Sequence, residues 1–461
     1  MTRAIRLSRR SLLGGALAAG LAMPARSAQA AGGLFTDVGL RGGHDADLAG
    51  LLPDTADDQS RDLQEAIDSS AKAGRILRLP AGDFHFSNLT LRDGTRMAGV
   101  PGATRLVYTG RGHGLLAETG SSVRLEGLTV DGANQQLGEH VRGLVHLRSV
   151  EQVFLDDVTV TGSARDGLVI EGCGGRIERC DISGAADAGI FAVGSRELAI
   201  SGNFVHDCGN GGILVHRWTP GPDGTIVSGN RVARISARSG GTGQFGNGIN
   251  LFRAGDVTVS DNHVSDCAFS AIRANSASNV QIVSNKALRS GETALYSEFA
   301  FEGALISGNL VDGGTMGISV ANFASGGRLA VISGNLIRNL SADGPYEQTN
   351  SGFGIGIAVE ADATVSGNTI EGAPKWGMMV GWGPYLRDLA ITGNVIRDAG
   401  LGMAVTVVEG AGKALISDNV FSDTPGGAIV GTRWNEAVTG DMAKTGASAW
   451  PHLTVERNAV G

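Results

Sequence analysis

Charge and aromatic rings are sparse in this 461-residue chain: 18% of residues are charged, 5% are aromatic, and there are only 11 prolines and 4 cysteines. Set beside 72 glycines, that scarcity excludes a helical composition and describes tight turns joined by short apolar segments. There is no basic excess. The formal net charge of −8 argues against a globally basic nucleic-acid binder, no DNA-binding motif occurs, and no nucleic-acid partner is expected. No segment reaches the roughly 18 to 20 apolar residues that a membrane-crossing helix needs, so no span is expected in the mature chain. The Gly-rich stretch 241–249 lacks the Lys-Ser/Thr of a phosphate loop, which excludes nucleotide binding of that kind.

What is present begins with an address. Ser8-Arg9-Arg10-Ser11-Leu12-Leu13 matches the twin-arginine export pattern, and an apolar stretch from Leu12 to Met23 and the small-x-small site Ala28-Gln29-Ala30 follow it. Residues 1–30 therefore read as a signal peptide, the mature chain as starting at Ala31, the twin-arginine translocase as a partner, and the destination as periplasmic or secreted. Export by this route follows folding in a reducing cytoplasm, which disfavours disulfides. Cys208 and Cys267 occupy equivalent repeat positions two turns apart, too far for a bridge, and read as buried filler. The pairing of Cys173 and Cys180 stays open, and their spacing is a poor zinc signature.

The dominant signal is a returning phrase. Ile200-Ser-Gly-Asn203, Val227-Ser-Gly-Asn230, Val259-Ser-Asp-Asn262, Ile306-Ser-Gly-Asn309, Ile332-Ser-Gly-Asn335, Val365-Ser-Gly-Asn368, Ile391-Thr-Gly-Asn394 and Ile416-Ser-Asp-Asn419 are clear copies, with weaker ones ending at Asn285 and Asn458. The shorter intervals cluster at roughly 23 to 27 residues, and the longer ones hold polar or Gly-rich insertions. Leucine-rich repeats share that length, but their fixed leucines and following helix are missing. Each unit reads as three short strands separated by turns, so the chain is expected to wind as an all-β, right-handed, single-stranded parallel β-helix of about eleven to twelve rungs stacked about 4.8 Å apart. Asn suits the turn because it tolerates the left-handed conformation, and its side chain can bond to backbone in adjacent rungs. The phrase is therefore structural.

Residues 57–84 place Leu63, Ala66, Ile67 and Ala71 at helical spacing, followed by a strand ending at Pro80-Ala81-Gly82. A helix there would cap the open end of the coil, which gives the division 1–30 signal peptide, 31–74 N-terminal segment and capping helix, and 75–461 β-helix. This stretch resembles the N-terminal segment of pectate lyase-like β-helix proteins. With the arginine signal and the Ser-Gly-Asn coils, the chain is similar over most of residues 54–461 to the Tat-translocated repeat proteins of that superfamily. The resemblance implies the fold; its members include lyases, hydrolases and epimerases, so it does not choose an activity.

The strand after the second glycine turn offers a surface. Aligned copies such as Gly212–His216, Gly248–Phe252, Ala271–Asn275 and Ala294–Glu298 have apolar second and fourth positions, which face the core, so the third and fifth point outward. Read down those columns, His216, Asn250, Arg273, Asn275, Tyr296 and Glu298 stand together, with Arg217 and Arg253 one residue beyond the strand. Apolar outward residues flank them: Val169, Phe191 and Val193 before, Ala358, Met379 and Ala404 after. Four rungs span roughly 14 Å, the reach of a short oligosaccharide. A solvated sheet face also carries polar groups, and clustering of titratable types is what favours a groove.

For a uronate polymer, abstraction of the proton at C5 needs a base and a means of neutralising the enolate. His216 is the first choice of base, with Tyr296 as the alternative; Arg273 or Arg253 would hold the carboxylate, Asn250 and Asn275 would donate to it, and Glu298 would orient its neighbours. Lyases of the superfamily often use Arg or Lys as base and Asp clusters for calcium; no such Asp cluster occurs on this face, so neither a metal nor a cofactor is expected. Hydrolysis would need two carboxylates, Glu298 and Glu360, two rungs or about 9 to 10 Å apart. The non-enzymatic alternative is a polysaccharide binder or envelope scaffold. Trp218 is placed with the substrate-binding set, and Trp376, Trp382, Tyr385 and Trp434 would either stack on sugar rings or cover the core's flank. The long polar segment 432–450 would overhang the groove or shield the C-terminal end.

Overall fold

A computed structural model of the chain describes residues 43–45, 50–322, 327–347 and 351–461. The signal sequence, its cleavage site and Ala31 lie outside the described residues. Three columns of parallel strands wind around an aliphatic interior. Strands of the first column, such as Ile226–Ser228, form a 16-stranded sheet; the second (Arg231–Ile235) and third (Asn247–Gly255) belong to a 29-stranded sheet. The latter two are joined because Thr369–Val380 and Val395–Thr406 run through both without a break. The right-handed coil is thus longer than the eleven to twelve rungs expected. The additional rungs precede Ile200, where the turn lacks Asn but the inward aliphatic repeat continues.

That repeat is a single in-register stack. Leu77, Met97, Leu125, Leu155, Ile177, Ile200, Val227, Val259, Ile282, Ile306, Ile332, Val365, Ile391 and Ile416 face their counterparts in successive rungs, and all are buried. One slipped residue would turn every one of these side chains outward, so burial itself enforces the register.

Beside the stack runs the Asn ladder. Each carboxamide oxygen accepts from both the backbone N–H and the side-chain N–H of the preceding Asn: Asn230 Oδ1 lies 3.0 Å from Asn203 N and 2.9 Å from Asn203 Nδ2. Each Nδ2 also donates to a strand carbonyl of the preceding rung, as Asn203 does to Ile177 O at 3.0 Å. The pattern continues through Asn458 and begins where Cys180 N donates to Asn203 Oδ1. The left-handed residue is not Asn, as expected, but the one before it: Gly202, Gly229, Asp261, Ser284 and Gly308 have φ of 64°, 63°, 58°, 57° and 65°. Gly is favoured there because it lacks a Cβ, whereas Asn is needed for its amide. All four cysteines are free and buried.

Helix α1 (Ser60–Lys72) packs on the first turns through Leu63, Ala66, Ile67 and Ser70. Ser70 is buried where the periodicity favoured Ala71, which is only half-buried. At the other end, segment 432–450 is not a loose loop. Glu436–Asp441 pairs antiparallel with Ile429–Arg433, and the Asp441 carboxylate accepts from Ala428 N and Ile429 N, each at 3.1 Å. This hairpin occupies the terminal edge of the third column, shielding the coil from edge-to-edge pairing. Among the described residues, no helix is long and apolar enough to cross a membrane.

Asn309→Ala removes the acceptor of Asn285 N at 2.9 Å and the donor to Ile282 O at 2.9 Å. With both orphaned groups buried, we expect a loss of about 3 kcal/mol in urea unfolding, against about 1 kcal/mol for Gly308→Ala in its left-handed turn. Equal losses would show that the turn, not the amide, carries the stability.

Candidate functional site

In the third column the inward positions Ile213, Ile249, Ile272 and Leu295 are fully buried. The two outward columns run in register as Phe191–Leu214–Asn250–Arg273–Tyr296–Ser319 and Val193–His216–Phe252–Asn275–Glu298–Ala321. The residues expected to share a face therefore do so, but in two groups. Arg217 and Arg253 lie within extended strands, Gly211–Pro222 and Asn247–Gly255, rather than beyond their ends.

The first group surrounds His216. Its imidazole stands edge-on to Phe191 and to Phe252, with ring centroids 5.2 and 5.6 Å away, and Asn250 Nδ2 donates to its Nε2 at 3.4 Å. Burial, reinforced by the positive charge of Arg142, pushes this imidazole down to about 4, so it is neutral near pH 7. The Asn250 carbonyl oxygen is buried and has no hydrogen-bond partner among the described residues. Trp218 is 62% exposed and tilts over Phe191. Arg253 donates from Nη1 to Trp218 O at 2.9 Å and lies 4.8 Å over the Phe252 ring. Among the described residues it makes no ion pair. Arg217 turns aside, its Nη1 3.7 Å from the buried Asp223 carboxylate, whose pKa burial raises.

The second group is an internal ion pair. Arg273 donates from Nε and Nη2 to Glu298 Oε1 at 2.6 and 2.5 Å and from Nη1 to Gly243 O. Asn275 Nδ2 donates to the same Glu298 oxygen at 2.8 Å. Glu298 is 2% exposed, far from the solvated position its alternation implies. Arg273 also lies over the Tyr296 ring at 5.6 Å. Burial first, then the charges of Glu298 and Glu292, raise the Tyr296 phenol well above its ordinary value, so it stays protonated.

The flanks are covered as well: Val169, Phe191, Ala358 and Met379 are buried. Alternation assigns a face correctly but cannot see what folds over it. The Gly-rich segment 240–246 reaches Arg273 through Gly243 O, and Tyr346 OH donates to Glu292. Glu292, a buried carboxyl whose pKa desolvation raises, was not found in the sequence because it sits in a turn with no repeat signal. Of the two carboxylates a hydrolase would use, Glu360 accepts from Asn322 N at 2.7 Å. Among the described residues, no group of three His, Cys, Asp or Glu side chains is placed to hold a metal ion. Trp376 is buried, covering the flank, while Tyr385 and Trp434 are exposed and Trp382 meets Trp434 edge-on at 5.2 Å.

Two predictions follow from this geometry. Glu298→Gln leaves the Arg273 charge without its counter-ion and should cost about 3–5 kcal/mol, most of which Glu298→Gln/Arg273→Met should restore; a double variant as weak as the single one would show that packing, not charge, was lost. His216 titrates near 4 when folded against 6.5 ordinarily. The unfolded chain then binds the proton first, so stability declines as pH falls from about 6.5 toward 4 and levels off below. The wild type should show this decline relative to His216→Gln; parallel unfolding-versus-pH curves would refute it.

Comparison with known proteins agrees with the fold. The family described as "Right handed beta helix region" matches residues 142–337. No curated protein sequence matches the chain. Among solved structures it is similar to pre-mature gene product 12 of bacteriophage phi29, at 15% identity and a TM-score of 0.50 over 84% of this chain and 54% of that one. The chain thus spans about half the length of the phage protein. It is also similar to the A-module of the mannuronan C-5 epimerase AlgE4 of Azotobacter vinelandii, at 17% identity and a TM-score of 0.42, covering 89% and 99% of the two chains. The surface adhesin PfbA of Streptococcus pneumoniae follows at 14% identity and a TM-score of 0.47, covering 87% and 95%. At these identities the likeness is one of fold.

Proposed function

We propose that the chain is an exported, polysaccharide-active β-helix protein that lays a uronate-containing polymer along the outer face of its third strand column. The observation that carries this reading is the convergence of an exposed Trp218, a neutral His216 and an Arg253 without a counter-ion on two adjacent rungs. An exposed indole is suited to stacking on a sugar ring, an unneutralised guanidinium to gripping a carboxylate, and an uncharged imidazole to accepting a proton.

The chemistry is then proton abstraction at C5. The C5–H bond breaks toward the His216 imidazole, and the electron pair moves into the carboxylate as an enolate held by Arg253 and Asn250. Expulsion of the O4-linked sugar, whose oxygen takes the proton back from the His216 imidazolium, completes a lyase reaction; delivery of a proton from water to the opposite face, with the imidazolium releasing its own to solvent, completes an epimerisation. Arg273, committed to Glu298 and the Gly243 carbonyl, serves as a positioning residue together with Asn275 and Tyr296. A non-catalytic binder is the second reading, favoured by the low proton affinity that aromatic packing imposes on His216.

Incubation with a panel of uronate and neutral polysaccharides in D2O separates these readings, following ultraviolet absorbance of unsaturated products, reducing ends and deuterium at C5. We expect unsaturated products or C5 deuterium, with kcat/KM falling at least a hundredfold in His216→Gln and Arg253→Met, and KM rising in Trp218→Ala. Reducing ends alone would indicate hydrolysis, and retention on a polymer without product the binder. Silence in every channel, with no retention, would overturn the proposal.

A further inference from the structure

Toward the N-terminus the same outer column continues as Arg148–Glu171–Val193–His216 in unbroken register, three spacings or roughly 14 Å in all. There the face opens into a pit of about 420 Å³, within the range of about 300–1,000 Å³ typical of ligand pockets. Its wall is the insertion between Thr129–Asp131 and Gly143–Arg148, which holds the Val-Asp-Gly-Ala-Asn turn with Ala133 and Asn134 at φ of 47° and 55°.

Part of the lining is already neutralised. His146, 2% exposed, places Nε2 3.3 Å from Glu171 Oε2, and Arg148 Nε donates to that oxygen at 3.0 Å. Arg142 Nε donates to Asp166 Oδ2 at 2.5 Å while its guanidinium lies 3.7 Å over the Phe191 ring, leaving that face unavailable for stacking. Three other lining groups are different. Arg165 spends Nη1 on the Val141 carbonyl at 2.7 Å and has no carboxylate partner among the described residues. The carboxylates of Asp187 and Glu139 have neither an ion pair nor a hydrogen bond there, and all three side chains line the pit.

One guanidinium without a carboxylate partner, in a lining that also holds two unpaired carboxylates, is a poor receptor for an anion. Burial chiefly, with Asp187 adding to it, pushes the Asp166 carboxyl up to about 6 despite Arg142. Free carboxylates instead accept pairs of hydroxyl protons, and a guanidinium donates to ring and hydroxyl oxygens. Resting on the polysaccharide reading above, we propose that this pit is a subsite for a neutral, hydroxyl-rich sugar, held by Asp187, Glu139 and Arg165, so that the polymer served carries neutral residues beside its uronates.

The test is binding of neutral mono- and disaccharides (glucose, galactose and mannose series) by calorimetry, and retention on a uronate polymer, for the full-length wild type, Asp187→Asn, Arg165→Met and Trp218→Ala. We expect neutral-sugar affinity to fall at least tenfold in Asp187→Asn and in Arg165→Met, with melting temperature and uronate-polymer retention unchanged, whereas Trp218→Ala loses the retention and keeps the neutral-sugar affinity. Neutral-sugar binding that survives both pit substitutions, or tighter uronate binding in Asp187→Asn, would overturn the pit while leaving the Trp218 site standing. Absence of any saccharide binding by the wild type would overturn the pit and the polysaccharide reading together.

Discussion

Everything in this molecule depends on the alignment of one rung with the next. The alignment has two sources acting at the same place: the buried aliphatic stack, in which Ile200, Val227 and Val259 lie directly over one another, and the carboxamide chain beside it. In Asn262, for example, both donors and the carbonyl oxygen are bonded within the ladder, to Val227 O, to Asn285 Oδ1 and from Asn230. A polar group that is wholly satisfied in the interior specifies a register that hydrophobic burial alone would enforce less sharply. Because each turn from Asn203 to Asn458 is so pinned, insertions can vary in the connections without disturbing the coil.

Those insertions make the functional face. A bare parallel sheet would present its alternate residues to water; here segment 240–246, Tyr346 and Phe353 close over the third column. Covering has an electrostatic consequence. Once Arg273 and Glu298 are out of water, each needs the other, and the pair becomes part of the architecture rather than a pair of free ligands. Arg253 beside His216 and Arg165 beside Asp187, which have no carboxylate partner among the described residues, keep unspent bonding capacity. The difference between a structural and a binding residue on this face is thus a matter of which side chains the connections reach.

The coil itself was legible because its grammar is local and repeated: a Gly-Asn turn after an aliphatic pulse recurs often enough to define the period, and alternation then assigns inside and outside. Reading failed where repetition failed. The early rungs lack Asn and so escape that grammar, although Leu125, Leu155 and Ile177 carry the stack. The candidate residues His216, Arg273 and Glu298 were placed on one face because period and alternation suffice for that. Their division into an aromatic group and an ion pair was not, because Gly243 and Glu292 lie in turns without a repeating pattern. Segment 432–450 read as a polar loop because its strand pairs antiparallel, against the direction of every repeat before it.

The sequence by itself determined the winding, the interior and the outward columns, since these follow from a period of about two dozen residues and from strand alternation, both properties of neighbouring residues. Only the tertiary structure decided which outward groups meet solvent and which carboxylates are paired. Such outcomes depend on contacts between connections far apart in the chain, where no periodic signal exists and where burial, not residue type, sets the charge state.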